Sequence, residues 1–147
     1  MKPKIFLGAD HAGFELKEEI KKYLIKQGYE VIDKGSYSFD KNDDYPDFIK
    51  PVAREVSKNQ QCKGIIFGAS GQGESIAANR FKGARAALYY GGSTEIITLS
   101  RTHNDANILS IGARFVNKED AIKAVKLWLG TGFSNEERHA RRIKKLD

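Results

Sequence analysis

Gly64-Ile65-Ile66-Phe67-Gly68-Ala69-Ser70-Gly71-Gln72-Gly73-Glu74-Ser75-Ile76-Ala77-Ala78-Asn79 joins an apolar run to a glycine-rich turn and then to a short helical pattern. The order strand, turn, helix decides the fold class. Gly68, Gly71 and Gly73 let the backbone bend sharply and direct N–H groups at something small, as helix N-termini do toward anions. A carboxylate, Glu74, stands where the turn becomes helical. It would repel a phosphate held directly by that turn, so it suggests chemistry on a neutral part of an anionic substrate.

Outward from this stretch the chain alternates between two periodicities. Ile5–Leu7, Val31–Ile32, Ile65–Phe67, Ala86–Tyr89 and Ile108–Ile111 read as buried strands. Helical patterns separate them. Phe14 to Gln27 sets Leu16, Ile20, Tyr23 and Leu24 on one face and stops at Gly28, and Phe48 to Lys58 repeats the idea with Ile49, Val52, Ala53 and Val56. Glu74 to Arg80, Ser93 to Arg101 and Glu119 to Leu129 complete five βα units, predicting an α/β domain with a doubly wound, five-stranded parallel sheet. At 147 residues the chain reads as one domain, 1–147.

Gly130-Thr131-Gly132-Phe133 ends the fifth helix, and Ser134 to Glu137 reads as a capping box opening one more over 134–147. That segment is short and polar. Arg138 and Arg142 share one face of it, which reads either as a frayed basic tail or as a helix docked on a second subunit, aiming two guanidiniums at a phosphate.

The net charge of +6 is concentrated in Arg138, His139, Arg141, Arg142, Lys144 and Lys145. No interleaved aromatic platform accompanies the run, so it argues against nucleic acid as the partner. No eighteen apolar residues run together and no leader-like segment opens the chain, which fits a cytoplasmic protein with no membrane partner. One cysteine, Cys62, excludes an internal disulfide and fits a reducing compartment. The three histidines are scattered, so no zinc spacing exists, and the glycines follow neither the dinucleotide nor the P-loop pattern. Neither a metal nor a cofactor is expected.

Polar residues collect where the strands end, as ligand-binding residues of open parallel sheets do. Asp10 follows the first strand and reads equally as a helix cap or a functional acid; His11 beside it has less structural excuse. Tyr45, in Asp44-Tyr45-Pro46-Asp47, is a lid or a packing residue, and Arg114 beyond the fifth strand is well placed for an anion. Arg101-Thr102-His103-Asn104-Asp105-Ala106-Asn107 precedes the fifth strand and therefore falls at the opposite edge of the sheet. Either it is a connection whose Asn and Asp satisfy backbone groups, or His103 works in a neighbouring subunit's pocket.

Together these segments resemble the ribose-5-phosphate isomerase B type of sugar-phosphate isomerase, which includes galactose-6-phosphate isomerase subunits. The resemblance rests on Gly8-Ala9-Asp10-His11-Ala12-Gly13, Asp44-Tyr45-Pro46-Asp47, Gly71-Gln72-Gly73 with Ser75 to Asn79, Ser100 to Asn107, and Arg138-His139 followed by Arg142. It implies a Rossmann-like or flavodoxin-like sheet, a homodimer or dimer of dimers with shared active sites, no metal, and interconversion of ribose and ribulose 5-phosphates. It further implies Glu74 as the proton-transfer base, Asp10 and His103 in opening the sugar ring, and Ser70 with the Gly71 and Gly73 backbone as an oxyanion site. His11, Arg114, Arg138 and Arg142 would bind the phosphate, with Tyr45 and Asn104 completing the substrate contacts. Some members carry a cysteine base at the position of Gly68; here Glu74 takes that role and Cys62 is a bystander. A 6-phosphorylated hexose as substrate, or a non-catalytic module holding a phosphate ligand, remain the alternatives.

Overall fold

The computed structural model describes all residues, Met1–Asp147, as five strands and six helices. In chain order they are β1 (Ile5–Ala9), α1 (Phe14–Lys26), β2 (Val31–Asp33), α2 (Pro46–Lys58), β3 (Lys63–Gly68), α3 (Gln72–Ala78), β4 (Ala86–Tyr89), α4 (Glu95–Thr102), β5 (Ile108–Gly112), α5 (Lys118–Gly130) and α6 (Glu137–Lys144). All strand pairings are parallel, in the order β2-β1-β3-β5-β4. The fifth strand therefore lies inside the sheet and the fourth at its edge.

Alternation along the strands builds two apolar layers. Ile5, Leu7, Ile65, Phe67, Leu109 and Ile111 point to one face, against Ile20 and Leu24 of α1, Ile97 of α4, and Val125 and Trp128 of α5. Phe6, Ile66 and Ile108 point to the other, against Ile49, Val52 and Val56 of α2 and Ala77 and Ala78 of α3. Each fully buried side chain of this size contributes about 1.5–3 kcal/mol relative to exposure, so both layers are needed to offset chain entropy. Cys62 is buried in the second layer, away from the polar strand ends.

One local expectation holds and one changes. Gly28 does stop α1: it takes φ +87°, its N–H reaches Ile25 O and the Tyr29 N–H reaches Leu24 O, a left-handed cap. The capping box at Ser134 does not form. Asn135 adopts φ +60°, which prevents the helix from starting there, so α6 begins at Glu137; the Ser134 hydroxyl accepts from the Glu136 N–H and lies 3.1 Å from His139 Nδ1. Lys17 of α1 is fully buried. Its ammonium bonds both Asp33 carboxylate oxygens at 2.7 Å and Ser36 O at 2.6 Å, tying α1 to the loop beyond β2. No helix is long and apolar enough to cross a membrane.

Candidate active site

The chain leaves β1 toward β2 on one side and reaches β3 on the other, so a crevice opens beyond the C-terminal ends of β1 and β3. β1 delivers Asp10 and His11 to it; β3 delivers the turn Ala69-Ser70-Gly71 and the first residues of α3. The loop after β5 is laced to that turn by Ala113 N–H to Gly68 O and Arg114 N–H to Ala69 O, which brings Arg114 to the same end. Gly71 sits at φ +79° as the cap of α3, and the buried Ser110 hydroxyl of β5 donates to its carbonyl at 2.7 Å. The bend is thus fixed from two strands.

Glu74 is only 4% exposed although it is one turn into a surface helix. Its carboxylate folds back over Gly68, where a Cβ would lie 2.0 Å from its Oε1. A side chain at position 68 and the Glu74 carboxylate would occupy the same space. Burial raises the Glu74 pKa above the usual glutamate range, and the nearby Asp10 charge pushes the same way; the Glu74 and Gly71 N–H groups oppose it. The group is thereby made more basic than a free glutamate.

Asp10 is buried and its Oδ1 accepts from the Ala12 and Gly13 N–H groups at 3.0 and 3.3 Å. Asp10 closes the turn before α1 without being its cap, which is Gly13, and it lies close enough to Glu74 to act on its ionisation. The Ser70 hydroxyl accepts from the Gln72 N–H at 3.3 Å. Tyr45 lies across the turn, since a Cβ on Gly73 would come within 2.8 Å of its hydroxyl oxygen. His11 holds Asp43, a residue the sequence reading passed over, through Nδ1 to Oδ1 at 2.7 Å. Asp10, His11 and Asp43 bring possible metal-ligand atoms within 4.8 Å of one another, yet Asp10 Oδ1 and Asp43 Oδ1 are already engaged by N–H groups.

The remaining predicted residues gather at the other end of the sheet. His103 caps the C-terminus of α4 and is exposed, as are Asn104, Arg138 and Arg142. Its ring stacks on that of buried His139 in α6, with centroids 4.2 Å apart. The rest of the polar run is structural: Arg101 binds Asp105 Oδ1 at 2.8 Å and Ala106 O at 2.7 Å, while Asn107 holds Arg85 N–H and Gly83 O. One motif therefore splits into a buried scaffold and two exposed side chains. The five residues of β5, at about 3.3 Å each, separate that end from the crevice.

A model of the family described as Ribose/Galactose Isomerase matches residues 5–146. The chain belongs to that family. It is 42% identical to the ribose-5-phosphate isomerase B of Mycolicibacterium paratuberculosis over 97% of this chain and 89% of that one, and 41% identical to the Escherichia coli protein of the same name, over 97% and 93%. The crystal structure of ribose-5-phosphate isomerase B from Mycoplasma genitalium with bound ribulose-5-phosphate superposes with a TM-score of 0.94 at 41% identity, covering 99% and 95% of the two chains. The Thermotoga maritima enzyme gives 0.92 at 44% identity, over 100% and 99%. Family membership thus extends over the whole sheet and both polar clusters.

Proposed function

We propose that this protein interconverts ribose 5-phosphate and ribulose 5-phosphate, with Glu74 carrying hydrogen between C2 and C1. The observation that carries the reading is the buried Glu74 carboxylate over Gly68, in a crevice that also holds Asp10, His11 and Arg114. Asp10 and His103 open the furanose ring. Glu74 then takes the C2 proton of the open aldose, leaving a cis-enediolate; the proton returns to C1 while the hydroxyl hydrogen moves from O2 to O1, so nothing is oxidised overall. The Ser70 hydroxyl and the Gly71 and Gly73 N–H groups stabilise the oxygen charge that develops. His11, Arg114, Arg138 and Arg142 anchor the phosphate, with Tyr45 and Asn104 against the sugar. Remote anchoring converts binding energy into alignment of the reacting carbons.

One chain offers the crevice at one end and His103, Asn104, Arg138 and Arg142 at the other, so the working site is composite, made where two copies meet. Support comes from the surface around edge strand β4, where Tyr90, Ile96, Leu99 and Phe115 are exposed. On this reading α6 docks its free face, bearing Arg138 and Arg142, on the partner.

Glu74→Gln tests the assignment. The variant should still bind ribose 5-phosphate but lose about 10³-fold or more in kcat, along with exchange of the C2 proton into deuterated water. In the parent protein the acid limb of kcat should sit above the ordinary glutamate range, because raising the pKa keeps Glu74 protonated to higher pH. Retained exchange in the variant would remove Glu74 from the mechanism. Galactose 6-phosphate and allose 6-phosphate run beside the pentose settle the sugar.

A further inference from the structure

We propose that Asp43, in the loop before α2, holds His11 as a doubly protonated imidazolium and so makes it an anion donor at neutral pH. The proposal rests on the reading of His11 as a phosphate ligand. Asp40, Lys41, Asn42 and Asp44 around it are all exposed, whereas the Asp43 side chain is 7% exposed and turned inward. Its Oδ1 accepts from the His11 backbone N–H at 3.1 Å and lies 2.7 Å from Nδ1. An ionised carboxylate only accepts, so Nδ1 must carry hydrogen. That leaves Nε2 to decide what the ring can do: a neutral ring offers a lone pair there, which repels phosphate, whereas a protonated one offers a charge-assisted donor.

Burial argues for the charged pair. Asp43 Oδ2 is shut off from solvent and has no partner, and Oδ1 meets only the backbone N–H and ring of His11, so a positive charge on that ring offsets much of the cost of burying the carboxylate. The charges acting on the ring are Asp43 from the loop before α2, Asp10 from the end of β1, and Arg114 from beyond β5, two negative against one positive; the Phe39 ring edge completes the surroundings. The hydrogen bond to Asp43 is the largest influence raising the His11 pKa, with desolvation and Arg114 opposing it. Asp43 is thus a positioning residue that sets both the orientation and the charge of His11.

Inorganic sulfate is the probe, because it stays doubly negative over the range in which imidazole titrates. The parent protein and Asp43→Asn, which keeps the shape and the Oδ1 acceptor, are titrated by NMR with the His11 ring assigned through His11→Gln, and sulfate affinity is measured at about pH 6 and 8. In the parent the ring midpoint should lie above the ordinary 6.5 and sulfate should shift the ring. In Asp43→Asn the midpoint should fall by about one pH unit, and sulfate affinity should drop about five- to tenfold at the higher pH while converging at the lower. An unmoved midpoint, or an equal loss of affinity at both pH values, overturns the proposal. So does a parent ring that sulfate leaves untouched. Neither readout uses turnover, so the isomerase reading stands or falls separately on Glu74→Gln.

Discussion

The two ends of the sheet carry opposite kinds of chemistry. At the C-terminal ends of β1 and β3 the acids are buried: Glu74 and Asp10 are 4% and 8% exposed, and His11 is driven toward its charged form by Asp43. At the far end His103, Asn104, Arg138 and Arg142 stand in solvent, and the buried histidine, His139, is driven toward neutrality by desolvation and by the His103 ring above it. One end is preorganised before any ligand arrives. The other leaves cations and a histidine exposed. The difference teaches that buried, preorganised acids and exposed cations lie at opposite ends of one chain; on the proposed reading a second copy unites them.

The sharpest way to break the preorganised half is to refill the space above Gly68. In Gly68→Ala the new methyl would sit 2.0 Å from the Glu74 carboxylate, and a carboxylate at the end of a flexible side chain yields before the sheet does. Activity should therefore fall about 100-fold with little change in melting temperature, since a displacement of about an ångström at a reacting group costs that much. A variant that unfolds, or one that keeps full activity, would show that the Glu74 position is not set by this contact.

A smaller effect sharpens the contrast between the histidines. His139 should titrate below 6.5, opposite to His11. Its lowered folded-state pKa means that its contribution to stability is complete above the unfolded value and is lost as pH falls from 6.5 through the folded value; a raised His11 contributes below 6.5 and loses that contribution as pH rises through its folded value. Replacing His139 by Gln should therefore flatten part of the acid decline in melting temperature between about pH 6.5 and 5. An unchanged decline would mean that His139 is not held neutral in the fold.

Much of this was legible in the chain. Each strand is announced by an apolar run, each central helix by a 3.6-residue repeat, and Glu74 by its place after three glycines. What stayed hidden depends on contacts between distant residues. Lys17 shares a helical face with Ile20 and Leu24, so its burial could have been read from spacing, but only Asp33, sixteen residues on, explains why an ammonium is tolerated there. Asp43 lies in a loop with four other charged residues, Lys34, Asp40, Lys41 and Asp44, and nothing in their order says which one turns inward to His11. Ser110 reads as a gap in an apolar strand until Gly71 O is seen to need a donor. The place of β5 between β3 and β4 is likewise absent from any local pattern, because parallel neighbours are chosen by crossovers and not by adjacent residues.

Subunit mixing tests the union of the two ends most directly. Glu74→Gln and His103→Asn should each be inactive alone. Unfolded together in equal amounts and refolded, they should recover about a quarter of the parent activity, because half of the dimers are mixed and each mixed dimer carries one site with both groups intact. If each chain instead built its own site, every site in the mixture would lack one group, and no activity would return.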